Sequence, residues 1–519
     1  METLTPQKQM AAVIDIGSSA LRMMIAEIGP KSEIRYIENL QKPVPLGKDV
    51  FTTGRISATT IRESIEVLKN YRSLIDGYSI HKIHAIATSA VRDAANRENF
   101  IDQVFVRTNL DVEVLEGAEE NRLELIAVEH GLGESFDFTK KNCLIVEVGS
   151  GSTEIIIMKK GEVELTRTLS IGSIRLPEHS GSSKMDSSAI QKHLKRNIHE
   201  IAQNTARECS LGDIDTFIAL GADMRFVARQ LLETIESGYI EFDQKRYLNF
   251  IGQLAKMSTE EIAEKYALVY SEAEAFYPAL LFYAYFLGET AADKIIVPMV
   301  SIRDGILIEL AQMLSGYKRT DVSKQVISSA KRLAKKYNYD EPHAAITASL
   351  AVKLFDLLKE DHGLGSKERL LLEVAAYLHD IGMYISPTSH HKHSSYLVDA
   401  AELFGLRKSD KNIVSNVIRY HRRSTPQASH TAYMSLPRQD RSIVSKLAAI
   451  LRVADSLDKS HQQKIRNFTF ERTSQGIALW VTDDVGDISL ERDVLSKKGM
   501  MFQEVFGASI VLKQGKPKG

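Results

Sequence analysis

The sequence predicts an α/β protein that passes into an all-helical segment and closes with a small α+β piece. Strands and helices alternate from Met10 to about Leu314, and one strand–turn–strand unit occurs twice. Beyond Ser315–Asp321 nearly every segment has helical periodicity.

The elements follow in order. "AVIDIGSSALRMMIAEI" reads as a buried strand, a Gly-Ser-Ser turn and a second strand. "SATTIRESIEVLKNYRSLI" is an amphipathic helix, with Thr59 or Thr60 as the expected cap. "KIHAIATSAV" is a short β-branched strand ending in small polar residues, "DVEVLEG" is another, and Glu119 to about Glu129 is helical. "LIVEVGSGSTEIIIMKKGEVEL" brings the strand–turn–strand unit back between Cys143 and Met158. "IDTFIALGADMRFVARQL" is a strand, a Gly turn and a helix; "AEAFYPALLFYAYFLG" is a buried helix; "KIIVPMVSIRDGILIELAQML" is a strand and a helix. Six helical stretches then run from "SKQVISSAKRLAKKY" to "RSIVSKLAAILRVADSLD". After Lys464, "FTFERTSQGIALWVTDD" is β-like with Gly476 in its turn, and a helix around Ser496–Phe506 and the strand "GASIVLKQG" follow. The tail "GKPKG" is expected to fray. The expected divisions are 1–127, 128–316, 317–464 and 465–519.

The bulk numbers narrow the function. A chain of 519 residues, 44% hydrophobic and 26% charged, has ample material for several cores. A formal net charge of -1 argues against a dedicated nucleic-acid binder. Two cysteines, Cys143 and Cys209, exclude a disulfide framework and fit a reducing cytoplasm. "METLTPQKQM" lacks the pattern of a signal peptide, and no run of about 18 apolar residues suggests a membrane span.

Superposing the two strand–turn–strand units puts Asp15 on Glu147, Gly17 on Gly149, Ser18 on Ser150, Ser19 on Gly151 and Arg22 on Glu154. Small residues let peptide N–H groups and hydroxyls wrap an oxyanion. An acid just before such a turn repels phosphate unless a divalent cation stands between them, and carboxylate plus phosphate oxygens suit Mg2+. Two such loops facing one another would line a cleft. No Lys follows the glycines, so neither is a Walker A loop. "ATSAVRDAANRENF" adds Thr88, Ser89, Arg92 and Asn96 at a strand end, with Arg92 able to fork onto phosphate. Either Glu119 or Glu120, just past Gly117, could act as general base for an attacking water.

These blocks resemble the exopolyphosphatase / guanosine pentaphosphate phosphohydrolase family. "DIGSSALR", "ATSAVRDAANRENF", "EGAEENRL", "EVGSGSTE" and "SIRDGIL" match its motifs in order, and the resemblance covers nearly the whole chain. It implies two duplicated actin/hexokinase-like (ribonuclease H-like) α/β domains, 1–127 and 128–316, around a cleft. It implies that Glu120 or Glu119 polarises the water and that Glu147 and Glu154 sit by metal and water, with Asp15 contributing to the same Mg2+ or Mn2+. Gly17, Ser18, Ser19, Arg22, Ser89 and Arg92 would hold phosphate from one side, and Gly149, Ser150, Gly151, Ser152 and Thr153 from the other. The substrate implied is inorganic polyphosphate or guanosine pentaphosphate, the compartment cytoplasmic, the assembly a homodimer. The chain departs from the family pattern at Ser19, Glu147, Ser150 and "GADM" (Gly221–Met224), which keeps a diverged binding regulator open beside the enzyme.

In the helical segment the order His343, His379–Asp380, Asp455 looks like an HD-type metal phosphohydrolase domain, 317–464, able to hold a second divalent metal. It keeps a metal-dependent nucleotide phosphohydrolase open as a further reading. "HHKHS" and "RYHRR" supply His390, His391, Lys392, His393, Arg419, His421, Arg422 and Arg423, of which Lys392, His421, Arg422 and Arg423 are the expected polyanion-binding residues.

Overall fold

The computed structural model describes residues 8–175, 196, 198–201, 203–205, 207, 209–231, 238–315, 323–473 and 476–515. The composition break after Ser315 and the last residues of the tail lie outside the described residues. The chain forms two compact units, Met1–Asp321 and Val322–Gly519.

The first unit is built on two sheets. Strands β1 (Gln9–Ile16), β2 (Ala20–Ile28), β3 (Ile34–Pro43), β4 (Lys82–Ala87) and β5 (Val112–Val114) lie in the order β3-β2-β1-β4-β5. Strands β6 (Asn142–Val148), β7 (Thr153–Lys159), β8 (Glu162–Leu169), β9 (Thr216–Leu220), β10 (Tyr239–Asp243) and β11 (Lys294–Pro298) lie in the order β8-β7-β6-β9-β11-β10. Each sheet is thus an antiparallel three-strand meander extended by parallel strands, with β10 as an antiparallel edge of the second.

The duplication extends to backbone detail. Asp15 pairs with Arg22 across β1–β2, and Glu147 with Glu154 across β6–β7. A register shift falls at Ile25/Ala26 in one meander and at Ile157/Met158 in the other, the same place in the repeat. The third strands, β3 and β8, were not expected from sequence. β3 is a largely exposed edge strand, "IRYIENLQKP", and so lacks the apolar run that marks a buried one.

Two helices tie the halves together. The helix Gly117–Leu132 leaves β5 and touches β7 and β8, so the expected cut at 127/128 would pass through it. The helix Ile302–Ser315 returns to the first sheet, where Ile306, Leu307 and Ala311 pack with Ala11, Val13, Met24 and Leu123. A Cβ on Gly305 would lie 2.1 Å from Leu123 O, so these two helices meet where only glycine fits. The helix Ala58–Gly77 is capped by Ser57, whose hydroxyl accepts from Thr60 N at 3.2 Å; Thr59 and Thr60 themselves lie inside the helix.

In the second unit, helices from Ser323–Lys336 to Arg438–Ser456 surround one core. Strands β12 (Thr469–Thr473), β13 (Gly476–Val481) and β14 (Ser509–Gln514) form a sheet in that order, and the helix Ser489–Phe506 crosses between the parallel pair β13 and β14. Leu479, Phe502 and Ile510 share a core with Leu372, Val417 and Leu447. The α+β piece from 465 onward therefore has no core of its own and belongs with the helices. Among the described residues no helix is long and apolar enough to cross a membrane.

Candidate active site

The turns after β1 and β6 fold alike. Gly17 N donates to Ala20 O at 3.1 Å, and Gly149 N to Ser152 O at 2.9 Å. In both turns two carbonyls are braced by a following segment. Gly47 N and Val44 N donate to Ser18 O and Ser19 O; Ser173 N and Ile174 N donate to Gly149 O and Ser150 O. A trans peptide points its N–H opposite its carbonyl, so the amides of Ser19, Ser150 and Gly151 face away from the bracing segments, as an oxyanion cradle requires. The amides of Gly17 and Gly149 are spent inside their turns. The Thr153 hydroxyl donates to Ile171 O at 2.7 Å and its side chain is buried. The structure therefore directs these three groups away from the phosphate role expected of them.

The two turns meet. Ser150 Oγ donates to Ser19 Oγ at 3.1 Å, and the hydroxyls of Ser18 and Ser89 lie 3.0 Å apart. A Cβ on Gly151 would fall 2.3 Å from Phe51 Cζ and 2.6 Å from Ser89 Oγ, so glycine is needed where the loops approach. Arg175, which sequence reasoning did not single out, stacks on Phe51 at 4.6 Å and pairs with Asp93 at 2.8 Å.

Beneath the loops lies a set of buried acids. Glu120 comes from the first turn of the helix Gly117–Leu132 and pairs with Arg92, whose Nη1 also donates to Leu115 O at 2.7 Å. Burial raises the Glu120 and Glu147 carboxyls above their usual range and lifts Glu124 and Glu154 well above it; neighbouring acids add to each shift. Glu147 Oε2 and Glu154 Oε1 are buried without a hydrogen-bond partner. Those orphan oxygens fit a hard divalent cation, since an unpaired buried carboxylate is otherwise costly. Asp15 differs: Arg22 Nη1 lies 3.6 Å away, so its charge is already answered.

Glu119 is placed elsewhere. It binds Arg122 at 2.8 and 3.1 Å, and Arg122 reaches on to Glu309 at 2.8 and 3.0 Å, joining the helices Gly117–Leu132 and Ile302–Ser315. Of the two neighbouring glutamates, only Glu120 is set among the cleft acids. Glu124 was missed; its signal was its place one helical turn beyond Glu120 on the same face. Arg225 and Arg303 were also missed. Arg225 lies close enough to Glu147 to oppose that carboxyl's upward shift, and Arg303 stands near Asp15 and Arg22. Tyr283 clamps the loop bases, accepting from Val148 N at 2.9 Å and donating to Leu220 O at 2.6 Å.

In the second unit the four expected residues converge. His343 Nε2 lies 3.6 Å from Asp455 Oδ1 and 4.0 Å from Asp380 Oδ2; His379 Nε2 lies 3.6 Å from Asp380 Oδ2 and 4.0 Å from Asp455 Oδ1. His390 and His421 join them around Asp380. His421 is 1% exposed, too deep for the surface polyanion contact expected of it. Lys392 and Arg423 are exposed and Arg422 is half-buried.

Residues 24–314 match the Ppx/GppA phosphatase family, and residues 327–499 match its domain III. The second match runs unbroken across 464/465, where a division was expected. Over 513 residues the chain is 24% identical to a guanosine-5'-triphosphate,3'-diphosphate pyrophosphatase of Pseudoalteromonas translucida, covering 97% of both chains. A shorter stretch, 32% of this chain and 26% of the relative, is 34% identical to a bifunctional 3-dehydroquinate synthase/phosphatase of Fusobacterium nucleatum. Among solved structures, an exopolyphosphatase from Cytophaga hutchinsonii superposes with a TM-score of 0.54 at 22% identity, covering 60% of this chain and 99% of that one. The Aquifex aeolicus Ppx/GppA family member superposes with a TM-score of 0.50 at 24% identity, covering 59% and 99%. With residues 24–314 and 327–499 both matched, the chain belongs to the Ppx/GppA phosphatase family, hydrolases of phosphoanhydride bonds.

Proposed function

We propose that the first unit removes the terminal phosphate of inorganic polyphosphate. The observation that carries this reading is the meeting of the two duplicated turns above a buried glutamate that is paired with arginine. The amides of Ser19, Ser150 and Gly151 and the hydroxyls of Ser18, Ser19, Ser89, Ser150 and Ser152 take the phosphate oxygens. Arg92 holds Glu120 in place and adds positive charge beside it. Glu120, its carboxyl raised by burial against the opposing charge of Arg92, accepts a proton from the attacking water. Glu147 and Glu154 would hold Mg2+ or Mn2+, which when bound neutralises the acids and the phosphate charge.

A second reading, release of the 5′-γ-phosphate from guanosine pentaphosphate, is favoured by the name carried by a relative that matches over the full length. Both substrates end in a phosphoanhydride-linked phosphate, so the cradle suits either. A product-resolved assay run on both in parallel separates them. Polyphosphate is expected to be shortened from its ends, and Glu120→Gln is expected to lower kcat by about 10²-fold or more with little change in KM. Phosphate released only from guanosine pentaphosphate would replace the first reading by the second. A Glu120→Gln variant as active as the parent would remove both.

A further inference from the structure

One side chain outside the expected set stands where three pieces of the first unit's cleft come together. We infer that Arg175 is a positioning residue of that cleft: its guanidinium ties the second turn, the helix Ser89–Asp93 and the helix Leu46–Thr53 into one register. The inference rests on the reading of this cleft as a phosphate site.

The second turn supplies the first contact. Ser173 N donates to Gly149 O and Ile174 N to Ser150 O, each at 3.0 Å, and Arg175 Nη1 donates to Gly151 O at 3.4 Å. Three consecutive carbonyls are thus met by three consecutive residues. Each carbonyl shares its peptide with the next amide, so these contacts turn the N–H groups of Ser150, Gly151 and Ser152 the opposite way. The backbone of segment 172–175 aims the first two, and the Arg175 side chain aims the third. The segment is also seated tightly. A Cβ on Gly172 would fall 2.5 Å from Gly151 N and from Ser150 O, so glycine is needed for it to lie against the turn. Arg175 therefore goes where the turn goes.

The other contacts belong to the first sheet's side of the cleft. Arg175 Nη2 pairs with Asp93 Oδ2 at 2.8 Å, at the end of the five-residue helix that carries Ser89 and Arg92. So short a helix has little rigidity of its own. Arg92 in turn holds Glu120, so the pair with Asp93 acts on the general base at one remove. The guanidinium also lies 4.6 Å over the Phe51 ring. Phe51 belongs to Leu46–Thr53, the helix whose Gly47 N donates to Ser18 O and so braces the first turn. A planar fork can stack on the ring and donate in two directions at once; an ammonium, a compact point charge, cannot serve all three.

An ion pair that only held the fold together would change stability and leave the chemistry of the folded protein alone. Phosphate release from polyphosphate and from guanosine pentaphosphate is therefore followed for the full chain and for Arg175→Met, Arg175→Lys, Asp93→Asn and the double variant of Arg175→Met with Asp93→Asn. Arg175→Met keeps a stem against Phe51 and loses the donors. It is expected to lower kcat by about 10–10²-fold while KM stays within about threefold, because misplaced reacting groups lose alignment while the many ground-state contacts persist. Arg175→Lys should recover part of that loss. The double variant should lose no more than Arg175→Met alone, since both changes break one contact. Amide hydrogen exchange gives a readout free of turnover. Peptides covering 88–97 and 148–153 should exchange at least about tenfold faster in Arg175→Met, with the β1–β2 pairing unchanged and a melting temperature near the parent's. With an active parent, an unchanged kcat overturns the inference, and so does unchanged exchange or a loss that follows the melting temperature alone. A parent that releases phosphate from neither substrate removes the reading of the cleft instead; exchange then decides the role of Arg175 by itself.

Discussion

Ser19 and Ser150 are two of the positions at which the chain departs from the family pattern, and they hydrogen-bond to each other. Ser150 is not among the residues with positive φ, so a side chain is tolerated there without backbone strain. Because the departures share one contact, their effects should couple. In a cycle of Ser19→Ala, Ser150→Ala and the double variant, the losses in kcat/KM are expected to be non-additive by about 0.5–1.5 kcal/mol; strict additivity would show two independent sites. At this scale the sequence placed the loops and the acids that precede them, because both sit in a repeated local pattern. It left Glu119 and Glu120 undivided, since only the helix phase and the distant Arg122–Glu309 pair decide which one faces the cleft. His421 was read as a polyanion-binding residue because its basic neighbours mask the burial that the fold imposes.

Among the elements, the helix Gly117–Leu132 bears most on the cleft. It presents Glu120 and Glu124 to the acids and Glu119 to the returning helix, and near its end it half-buries Glu129. Burial lifts the Glu129 carboxyl from its ordinary 4.5 to about 7. The fold therefore binds this proton more tightly than the unfolded chain does. The stability it contributes is whole below pH 4.5 and is lost as pH rises through about 7. Glu129→Gln should flatten that window. Above pH 8 the variant is expected to be the more stable by about 1–2 kcal/mol, less than the ~3 kcal/mol of the full shift because part of the carboxyl stays hydrated. Urea melts of the two proteins across pH 4–9 check this, and parallel curves would refute it. Most helices were legible from their apolar spacing. β3 and the passage of the helix Ile302–Ser315 onto the first sheet were not, because an exposed edge strand and a long-range return leave no local mark.

For the whole molecule, each compact unit encloses its own cores. A solved exopolyphosphatase is matched over 99% of its length by 60% of this chain, so a fold of about the first unit's extent stands alone in nature. Residues 1–321 and 322–519, produced separately, are each expected to unfold in one cooperative transition; a broad, non-cooperative melt from either would show that it needs the other. The division at 464/465 was expected because strand patterning begins there. Patterning reports local conformation, and the shared core that joins β13, β14 and the helices is assembled from residues far apart in the chain. In the first unit the two halves repeat one backbone but not one charge. Where Asp15 faces its own arginine, the corresponding pair is Glu147 beside Glu154. One wall therefore carries its own countercharge, while the buried glutamates of its twin, their carboxyls raised by burial, are left to a proton or a cation. The mirrored architecture is thus symmetric in shape only, and whatever balances those acids enters on one side of it.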